Sequence, residues 1–224
     1  MQKIIVAIDG FASTGKSSLA KRLAENLNYT YIDSGSMYRA VTYFALQEGH
    51  QGYIDQEKLI AQLDQIEIYF KYSKSGYQTF LNGLNISKEI RLSEVTEKVS
   101  KVSKIIKVRE LLVTQQQKLG AKKGIIMDGR DIGTVVFPKA ECKFFLKASP
   151  EIRAKRRQLE QIKAGNNESF ASVLSNLKER DLMDSTRKFS PLTKADDAIE
   201  IDVSEMSLEE VYHQLLEHIS KKII

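Results

Sequence analysis

The chain has 224 residues, of which 42% are hydrophobic and 28% charged, a composition ordinary for a globular protein and too apolar for intrinsic disorder. Its formal net charge of +5 permits nucleic acid, a membrane surface or phosphorylated ligands as partners. The single cysteine, Cys142, excludes an internal disulfide framework. Because the sequence shows neither an apolar run of about 18 residues nor a signal-peptide pattern, we expect a cytoplasmic protein without a membrane-spanning helix.

Short apolar runs predict buried strands, and they occur in chain order at residues 4–8, 31–32, 125–127, 144–146 and 198–201. Continuous apolar runs are typical of a parallel sheet that is covered on both faces. Leu19, Leu23 and Leu27 repeat at helical spacing after the first run. Alternation of strand and helix therefore predicts an α/β fold. Four of the runs are followed by an acidic residue, namely Asp9, Asp33, Asp128 and Asp202.

The region between the second and third runs departs from this alternation. Residues 66–70 and 77–81 have strand-like composition, and Asn82-Gly83 is a turn signal. We therefore predict a small β insert over residues 62–92. A single long helical pattern follows, from Ser93 to about Leu119.

A phosphate-binding motif follows the first predicted strand and opens the first predicted helix. It fits the pattern G-x-x-x-x-G-K-[ST]. Backbone N–H groups of such a loop, together with the helix N-terminus, bind phosphate oxygens, while the lysine adds a positive charge and the hydroxyl is a ligand for Mg²⁺. The sequence thus predicts binding of a nucleoside triphosphate with Mg²⁺. The residues concerned are Gly10, Phe11, Ala12, Ser13, Thr14, Gly15, Lys16 and Ser17, followed by Ser18.

Asp128 follows the predicted strand 125–127, where a second carboxylate near Mg²⁺ would be expected, usually through water. An aspartate that caps the turn after a strand is an equally good interpretation. The residues alone leave both open.

Four arginines outside the phosphate loop favour a kinase over a switch protein or a motor. A guanidinium fork binds phosphate oxygens bidentately, and an enzyme that phosphorylates a phosphate must hold a second anion beside the triphosphate. Ligands of open α/β sheets bind where strands end, which is where several of these arginines fall. They are Arg39, Arg130, Arg180 and Arg187.

At these residues the chain resembles the bacterial cytidylate kinases of the nucleoside monophosphate kinase family. The resemblance is carried by the phosphate loop and by segments 33–39, 128–138 and 179–187. It implies a three-layer P-loop fold with a five-stranded parallel sheet, formed by residues 1–224 as one domain. It also implies a mobile monophosphate-binding region that includes the insert 62–92, and a short lid at residues 151–167.

The resemblance also assigns site residues. In the lid, Arg153, Arg156 and Arg157 would lie on one helix face, with Arg153 and Arg157 contacting the donor phosphates. Lys16, Arg130, Arg157 and Arg187 would be the catalytic cations. The acceptor phosphate would be held by Arg39, Arg130 and Arg187 with Tyr38 and Ser34, the ribose by Arg180 and Asp184, and the base by Ser100, Arg109 and Asp131.

Two features stand apart from this assignment. Ser100 and Arg109 fall on a lysine-rich helical stretch, which by itself predicts a solvated helix face. In the phosphate loop, Phe11 and Ser13 replace the proline and glycine usual in the family, and a positive φ at Ser13 would cost on the order of 1 kcal/mol.

The resemblance implies transfer of the γ-phosphoryl group of ATP, with Mg²⁺, to CMP or dCMP. We therefore expect a monomer whose partners are these nucleotides, without nucleic acid or membrane. The alternatives are a P-loop kinase for another acceptor, such as UMP or dephospho-coenzyme A, and a nucleic-acid-binding protein. The last would use residues 151–194, which contain ten basic and six acidic residues.

Overall fold

Strands and helices alternate along much of the chain in a computed structural model that describes residues 2–49, 52–73, 76–163 and 165–223. The chain divides into two compact units. The first comprises Met1–Tyr31 and Gly120–Ile224, and the second comprises Ile32–Leu119. Within the described ranges, no helix combines the length and the apolar character needed to cross a bilayer.

The strands and helices have the following bounds. The strands are β1 Ile5–Gly10, β2 Thr30–Asp33, β3 Ile68–Ser73, β4 Gly76–Leu81, β5 Leu84–Asn85, β6 Ile125–Gly129, β7 Cys142–Lys147 and β8 Ile199–Asp202. The helices are α1 Lys16–Leu27, α2 Ser34–Glu48, α3 Gln56–Ala61, α4 Ser93–Val102, α5 Ile106–Gly120, α6 Pro150–Lys163, α7 Phe170–Thr186 and α8 Leu208–Ser220. Short 3₁₀ turns occur at Leu63–Gln65 and Glu89–Arg91, and a π turn at Ile132–Val136.

A five-stranded sheet organises the fold, with the order β2-β6-β1-β7-β8. Strand β1 pairs in parallel with both β6 and β7, and β7 pairs in parallel with β8. Since β1 is central and helices cover the sheet, Val6, Ala7 and Ile8 are fully buried. The predicted α/β fold with a five-stranded parallel sheet is confirmed.

Helix α1 forms because its apolar residues recur on one face. Leu19, Leu23 and Ala24 are buried, and the helix ends at Asn28 in the left-handed conformation, whose N–H bonds back to carbonyls of the last turn. The helix begins directly after Gly15, so its N-terminus lies at the end of β1. This placement is what a phosphate-binding loop requires.

The second unit contains a three-stranded antiparallel sheet within the range predicted for the β insert. Strands β3 and β4 pair in the register Ile68↔Leu81, and the rings of Tyr69 and Phe80 stack with centroids 5.0 Å apart. The predicted turn Asn82-Gly83 has positive φ at both residues and connects β4 to β5. That the insert binds a monophosphate stays a prediction.

The long helix predicted from Ser93 to about Leu119 is interrupted, forming α4 and α5. At the break the Ser103 hydroxyl donates to the Ser100 carbonyl, and the amide of Ile105 bonds to Val102 in a tighter turn. The freed carbonyl of Ser103 accepts a hydrogen bond from Arg109. The break thus brings the Arg109 side chain to the end of α4.

Candidate active site

Two glycines of the phosphate loop adopt backbone conformations that no other residue could adopt without strain. Gly10 has φ of 142°, and a Cβ atom there would collide with the carbonyl oxygen of Leu146 on the neighbouring strand β7. Gly15 has φ of 87°. Ser13 adopts φ of 60°, so the left-handed conformation considered for it in the sequence does occur. The loop keeps this conformation with serine in place of the usual glycine.

Lys16 lies over this loop. Its ammonium group donates to the carbonyl of Phe11 and, at 3.2 Å, to the hydroxyl of Thr14, and only 5% of the residue is exposed. Burial, followed by the positive charge of Arg130, lowers the pKa of Lys16 well below its usual value. A buried cation next to a helix N-terminus favours a bound anion, which would restore the charge balance.

Asp128, near the end of β6, is held from two sides. The Ser17 hydroxyl donates to Oδ2 and the Tyr31 hydroxyl to Oδ1, each at 2.8 Å. A hydroxyl and a carboxylate oxygen in contact are ligands of the kind that Mg²⁺ prefers. Among the described residues, no group of three or more acidic, histidine or cysteine side chains could hold a metal. That Ser17 and Asp128 hold Mg²⁺ stays a prediction.

An arginine cluster surrounds Asp184 on α7. Arg130, at the end of β6, donates from Nε to the Asp184 carboxylate at 2.9 Å, and Arg187 approaches it at 3.8 Å. Burial alone would raise the pKa of Asp184, but Arg130, Arg180 and Arg187 together hold it below its usual value. Three cations around one carboxylate leave a local excess of positive charge, which is suited to an anionic ligand.

Asp131 joins the same cluster. Its Oδ1 lies 3.8 Å from the guanidinium of Arg187, whose Nε donates to the carbonyl of Ser190 at 2.6 Å. Asp131 is buried and stands at the start of the π turn, a geometry that often marks functional positions. The fold therefore brings together five residues predicted for the acceptor site: Arg130, Asp131, Arg180, Asp184 and Arg187.

Asp9 was noted in the sequence only as an acid that follows a strand, without a role. Its carboxylate accepts hydrogen bonds from the amides of Ile132 at 2.8 Å and Gly133 at 2.7 Å. The residue is 5% exposed, and burial raises its pKa to about 7 despite these two bonds. The signal that could have found it is a carboxylate at the end of an apolar strand, directly before Gly10.

The three arginines of the predicted lid lie on helix α6, in different surroundings, and that this segment is a lid stays a prediction. Arg153 is buried and donates to the carbonyl of Ala148 at 2.9 Å, to Asp181 at 2.6 Å and to the carbonyl of Ala12 at 3.4 Å. Its guanidinium also lies 5.0 Å from the ring centroid of Phe11. Arg153 thus supports the phosphate loop from within the protein.

The other two lid arginines are nearer to solvent. Arg156 donates to the carbonyl of Val203 at 2.7 Å. Arg157 is partly exposed, with Glu160 at 3.6 Å as a weak partner. Of the three, Arg157 has the guanidinium most able to reach a ligand.

In the second unit, the start of helix α2 holds Arg39. Asp33 caps the helix by accepting from the amide of Ser36, and Arg39 donates to the Asp33 carboxylate at 2.9 Å and to the Ser36 hydroxyl at 2.8 Å. Gly35 leaves room for this guanidinium, because a Cβ atom there would lie 3.1 Å from it. The predicted residues Ser34 and Tyr38 are buried on the same helix.

Ser100 and Arg109 are buried, with 5% and 4% exposed, so the solvated helix face that the lysine-rich stretch predicts is wrong for these two residues. Arg109 lies 5.3 Å from the ring centroid of Tyr38 and donates to the carbonyl of Ser103 at 3.2 Å. The surrounding lysines project outward while these polar side chains face inward. Buried polar groups on an otherwise apolar helix face are suited to reading a polar ligand.

A phosphate loop backed by a serine–aspartate pair and buried arginines, on a parallel α/β sheet, defines the P-loop kinases as the class of this protein. The model of the cytidylate kinase family matches residues 6–221. The chain therefore belongs to the cytidylate kinase family and is a phosphotransferase.

Two relatives agree with this assignment, and one solved structure is similar in fold alone. The chain is 52% identical over 221 residues to a cytidylate kinase of Flavobacterium psychrophilum, covering 97% of this chain and 98% of that one. It is 52% identical over 227 residues to a cytidylate kinase of Parabacteroides distasonis, covering 100% and 99%. A solved structure of an uncharacterized protein from Eubacterium ventriosum is similar in fold, with a TM-score of 0.52 and 12% identity, covering 98% and 99%.

Proposed function

We propose that the chain transfers the γ-phosphoryl group of ATP, with Mg²⁺, to CMP or dCMP, forming ADP and CDP or dCDP. The observation that carries this proposal lies at the end of β6, where Asp128, the partner of Ser17, directly precedes Gly129 and then Arg130, the partner of Asp184. Burial, and after it the charges of Arg130 and Arg180, lower the pKa of Lys16. The charges of Lys16, proposed for the donor phosphates, and of Arg130 and Arg180, proposed for the acceptor, therefore interact. Transfer of a phosphoryl group between two anions requires cations that lie close together in this way.

The donor site is proposed to be the loop Gly10–Ser17 with Ser18. Backbone amides and the N-terminus of α1 bind the phosphate chain, and Lys16 neutralises the β- and γ-phosphates. Arg153 and Arg157 are proposed to contact the donor phosphates, and Arg153 also supports Ala12 and Phe11 of the loop. Mg²⁺ would be held by Ser17 and, directly or through water, by Asp128, and it would neutralise charge on the phosphates.

Recognition of the acceptor phosphate and sugar is proposed for the residues that the family resemblance assigns to them. Arg39, Arg130 and Arg187 are proposed to bind the phosphate, with Ser34 and Tyr38. Arg180 and Asp184 bind the ribose hydroxyls. The ion pair between Arg130 and Asp184 holds both side chains ready for these contacts.

The proposed recognition of the base rests on the positions of the hydrogen-bond donors and acceptors of cytosine. Asp131 accepts from the amino group at C4, while Arg109 and Ser100 donate to N3 and O2. Uracil presents a carbonyl at C4 and a proton on N3, which would leave buried groups unpaired at a cost of about 1–3 kcal/mol each. The burial of Ser100, Arg109 and Asp131 supports this proposal, since mismatches are costly only away from water.

The chemistry needs no covalent intermediate and no general base, because the acceptor phosphate is already anionic at neutral pH. We propose in-line transfer, in which the chain contributes positioning and charge stabilisation through Lys16, Arg130, Arg157 and Arg187. Each of these cations is permanently charged or is charged once an anion is bound.

A coupled assay of ADP release tests the proposal. We expect the highest kcat/KM for CMP and dCMP, and much lower values for UMP, AMP, GMP and dephospho-coenzyme A. A higher kcat/KM for any of the last four would overturn the acceptor assignment. The same assay without an acceptor gives the background of ATP hydrolysis.

A further inference from the structure

We propose that Asp9 is a positioning residue that fixes Asp131 for base recognition and joins it to the phosphate loop. Asp9 is the penultimate residue of β1 and directly precedes Gly10. Its carboxylate binds the two amides that follow Asp131 in the chain. The inference rests on the proposed function, since it concerns selectivity for the acceptor base.

The geometry of the contact is bidentate. Oδ1 accepts from the amide of Ile132 at 2.8 Å and Oδ2 from the amide of Gly133 at 2.7 Å. Both distances lie at the short end of the range for N–H···O bonds. Two bonds from one rigid group to consecutive amides fix the direction in which the chain leaves Asp131.

The amides held by Asp9 are those that the π turn cannot satisfy itself. Within the turn, the Asp131 carbonyl accepts from Val135 and Val136, which leaves the first amides without an acceptor inside the turn. Only a carboxylate offers two adjacent acceptor oxygens and no donor. An amide side chain would direct an N–H group at one of these N–H groups.

Gly133 lies in the turn against Asp9, where there is little room for a side chain. A Cβ atom at this position would lie 3.4 Å from Oδ2 of Asp9 and 3.2 Å from the side chain of Lys143. The Lys143 ammonium is engaged elsewhere, donating to the carbonyl of Pro138 at 2.5 Å and to Asp197 at 2.8 Å. Asp9 therefore has backbone amides as its nearest partners, although a lysine side chain passes close to the same glycine.

The contact also places Asp9 between the phosphate loop and Asp131. The charges of Lys16 and Asp131 both act on Asp9, one from the phosphate loop and the other from the base-reading position. A buried acid is costly to a fold, and a site that only needed packing would be served by an apolar residue. Packing does not explain why an acid occupies this buried position, whereas holding Asp131 in place does.

The test uses Asp9→Asn, which keeps the shape of the side chain and replaces one acceptor by a donor. We expect the KM for CMP to rise roughly tenfold and the ratio of kcat/KM for CMP over UMP to fall by a similar factor, while the KM for ATP changes less than about threefold. Titration of CMP and UMP into the enzyme, without ATP, measures the same discrimination independently of turnover.

A matched control is Asp202→Asn, the same substitution at the end of β8, where the carboxylate is exposed and accepts from Ser204. It should leave all constants unchanged. Gly133→Ala disturbs the same contact without removing the acid and should also lower the CMP-over-UMP ratio. This second variant decides the test if circular dichroism shows that Asp9→Asn does not fold.

An unchanged CMP-over-UMP ratio in the folded variant overturns the inference, as does a loss of ATP and CMP affinity by equal factors. The second outcome would assign Asp9 to general support of the loop. If the unmodified enzyme does not prefer CMP, the proposed function fails instead, and this is seen before any variant is measured.

Discussion

The hydroxyl of Ser17 donates a 2.8 Å hydrogen bond to the carboxylate of Asp128, although the two residues are 111 positions apart in the chain. The parallel register that pairs Ile8 with Asp128 explains the contact, because it places the end of β6 beside the start of α1. A neutral and an anionic oxygen therefore meet at the phosphate loop, where they would hold a divalent cation that neutralises phosphate charge.

Asp128→Asn tests this pair. We expect the Mg²⁺ concentration that gives half-maximal rate to rise at least about tenfold, because the amide oxygen lacks the charge that attracts the cation. Tyr31→Phe, which removes one hydrogen bond to Asp128, should shift it in the same direction by less. Mn²⁺ binding to the ADP complex, followed by electron paramagnetic resonance, gives a readout that does not depend on turnover. Equal Mg²⁺ dependence in all three proteins would contradict the assignment.

Lys16→Met should lower the rate without lowering the free energy of unfolding. The rate should fall at least about a hundredfold, since the charge opposite the transferred phosphoryl group is lost. The free energy of unfolding without nucleotide should stay the same or rise, because burial already disfavours the ammonium form and lowers its pKa. Coupled ADP release and urea unfolding measure the two effects. A rate near that of the unmodified enzyme would remove Lys16 from the donor site.

Ser13→Gly should stabilise the protein by about 0.5–1 kcal/mol, because glycine adopts a φ of 60° without the steric cost that serine has there. Ser18→Gly is the matched control. Ser18 lies inside helix α1, where glycine is unfavourable, so this change should destabilise. Urea unfolding of both variants checks the opposite signs, and destabilisation by both would show that the loop conformation carries no strain at Ser13.

Asp131→Asn should relax the choice of base. Its amide nitrogen can donate to the carbonyl of uracil, whereas the carboxylate only accepts, so the CMP-over-UMP ratio of kcat/KM should fall about ten- to a hundredfold. The KM for ATP should change little. Asp196→Asn, at an exposed position, is the control. Unchanged selectivity would remove Asp131 from base recognition.

The parallel sheet could be predicted from sequence because its strands are continuous apolar runs. Residues 125–127 and 144–146 fall inside β6 and β7, and the glycines and lysine of the phosphate loop form a motif with one structural meaning. At these positions the local sequence pattern alone predicts the observed strands and loop, without knowledge of tertiary contacts.

Other parts of the site depend on contacts between distant segments, which a local pattern does not show. Arg109 is buried although lysines surround it in sequence, because its side chain packs near Tyr38 across the second unit. Asp9 binds an amide 123 positions away. The helix break at Ser103 depends on a hydrogen bond to Ser100, which competes with helix geometry in a way that residue propensity only weakly indicates.

The raised pKa of Asp9 predicts how stability depends on pH. Its pKa is about 7 in the folded chain against 3.8 for an ordinary aspartate, with burial as the largest cause. Between these values the folded state binds more protons than the unfolded state, so the contribution of Asp9 is fully present below pH 3.8 and is lost as pH rises through 7.

Relative to the unmodified chain, Asp9→Asn should therefore become more stable as pH rises from 5 to 8, because asparagine does not ionise. The difference in free energy of unfolding should change by on the order of a few kcal/mol over this range. Urea unfolding of both proteins at several pH values measures it, and subtraction removes the titration of every other group that the substitution leaves unaffected. Parallel curves would mean that Asp9 is ionised throughout, with its two amide bonds outweighing the cost of burial.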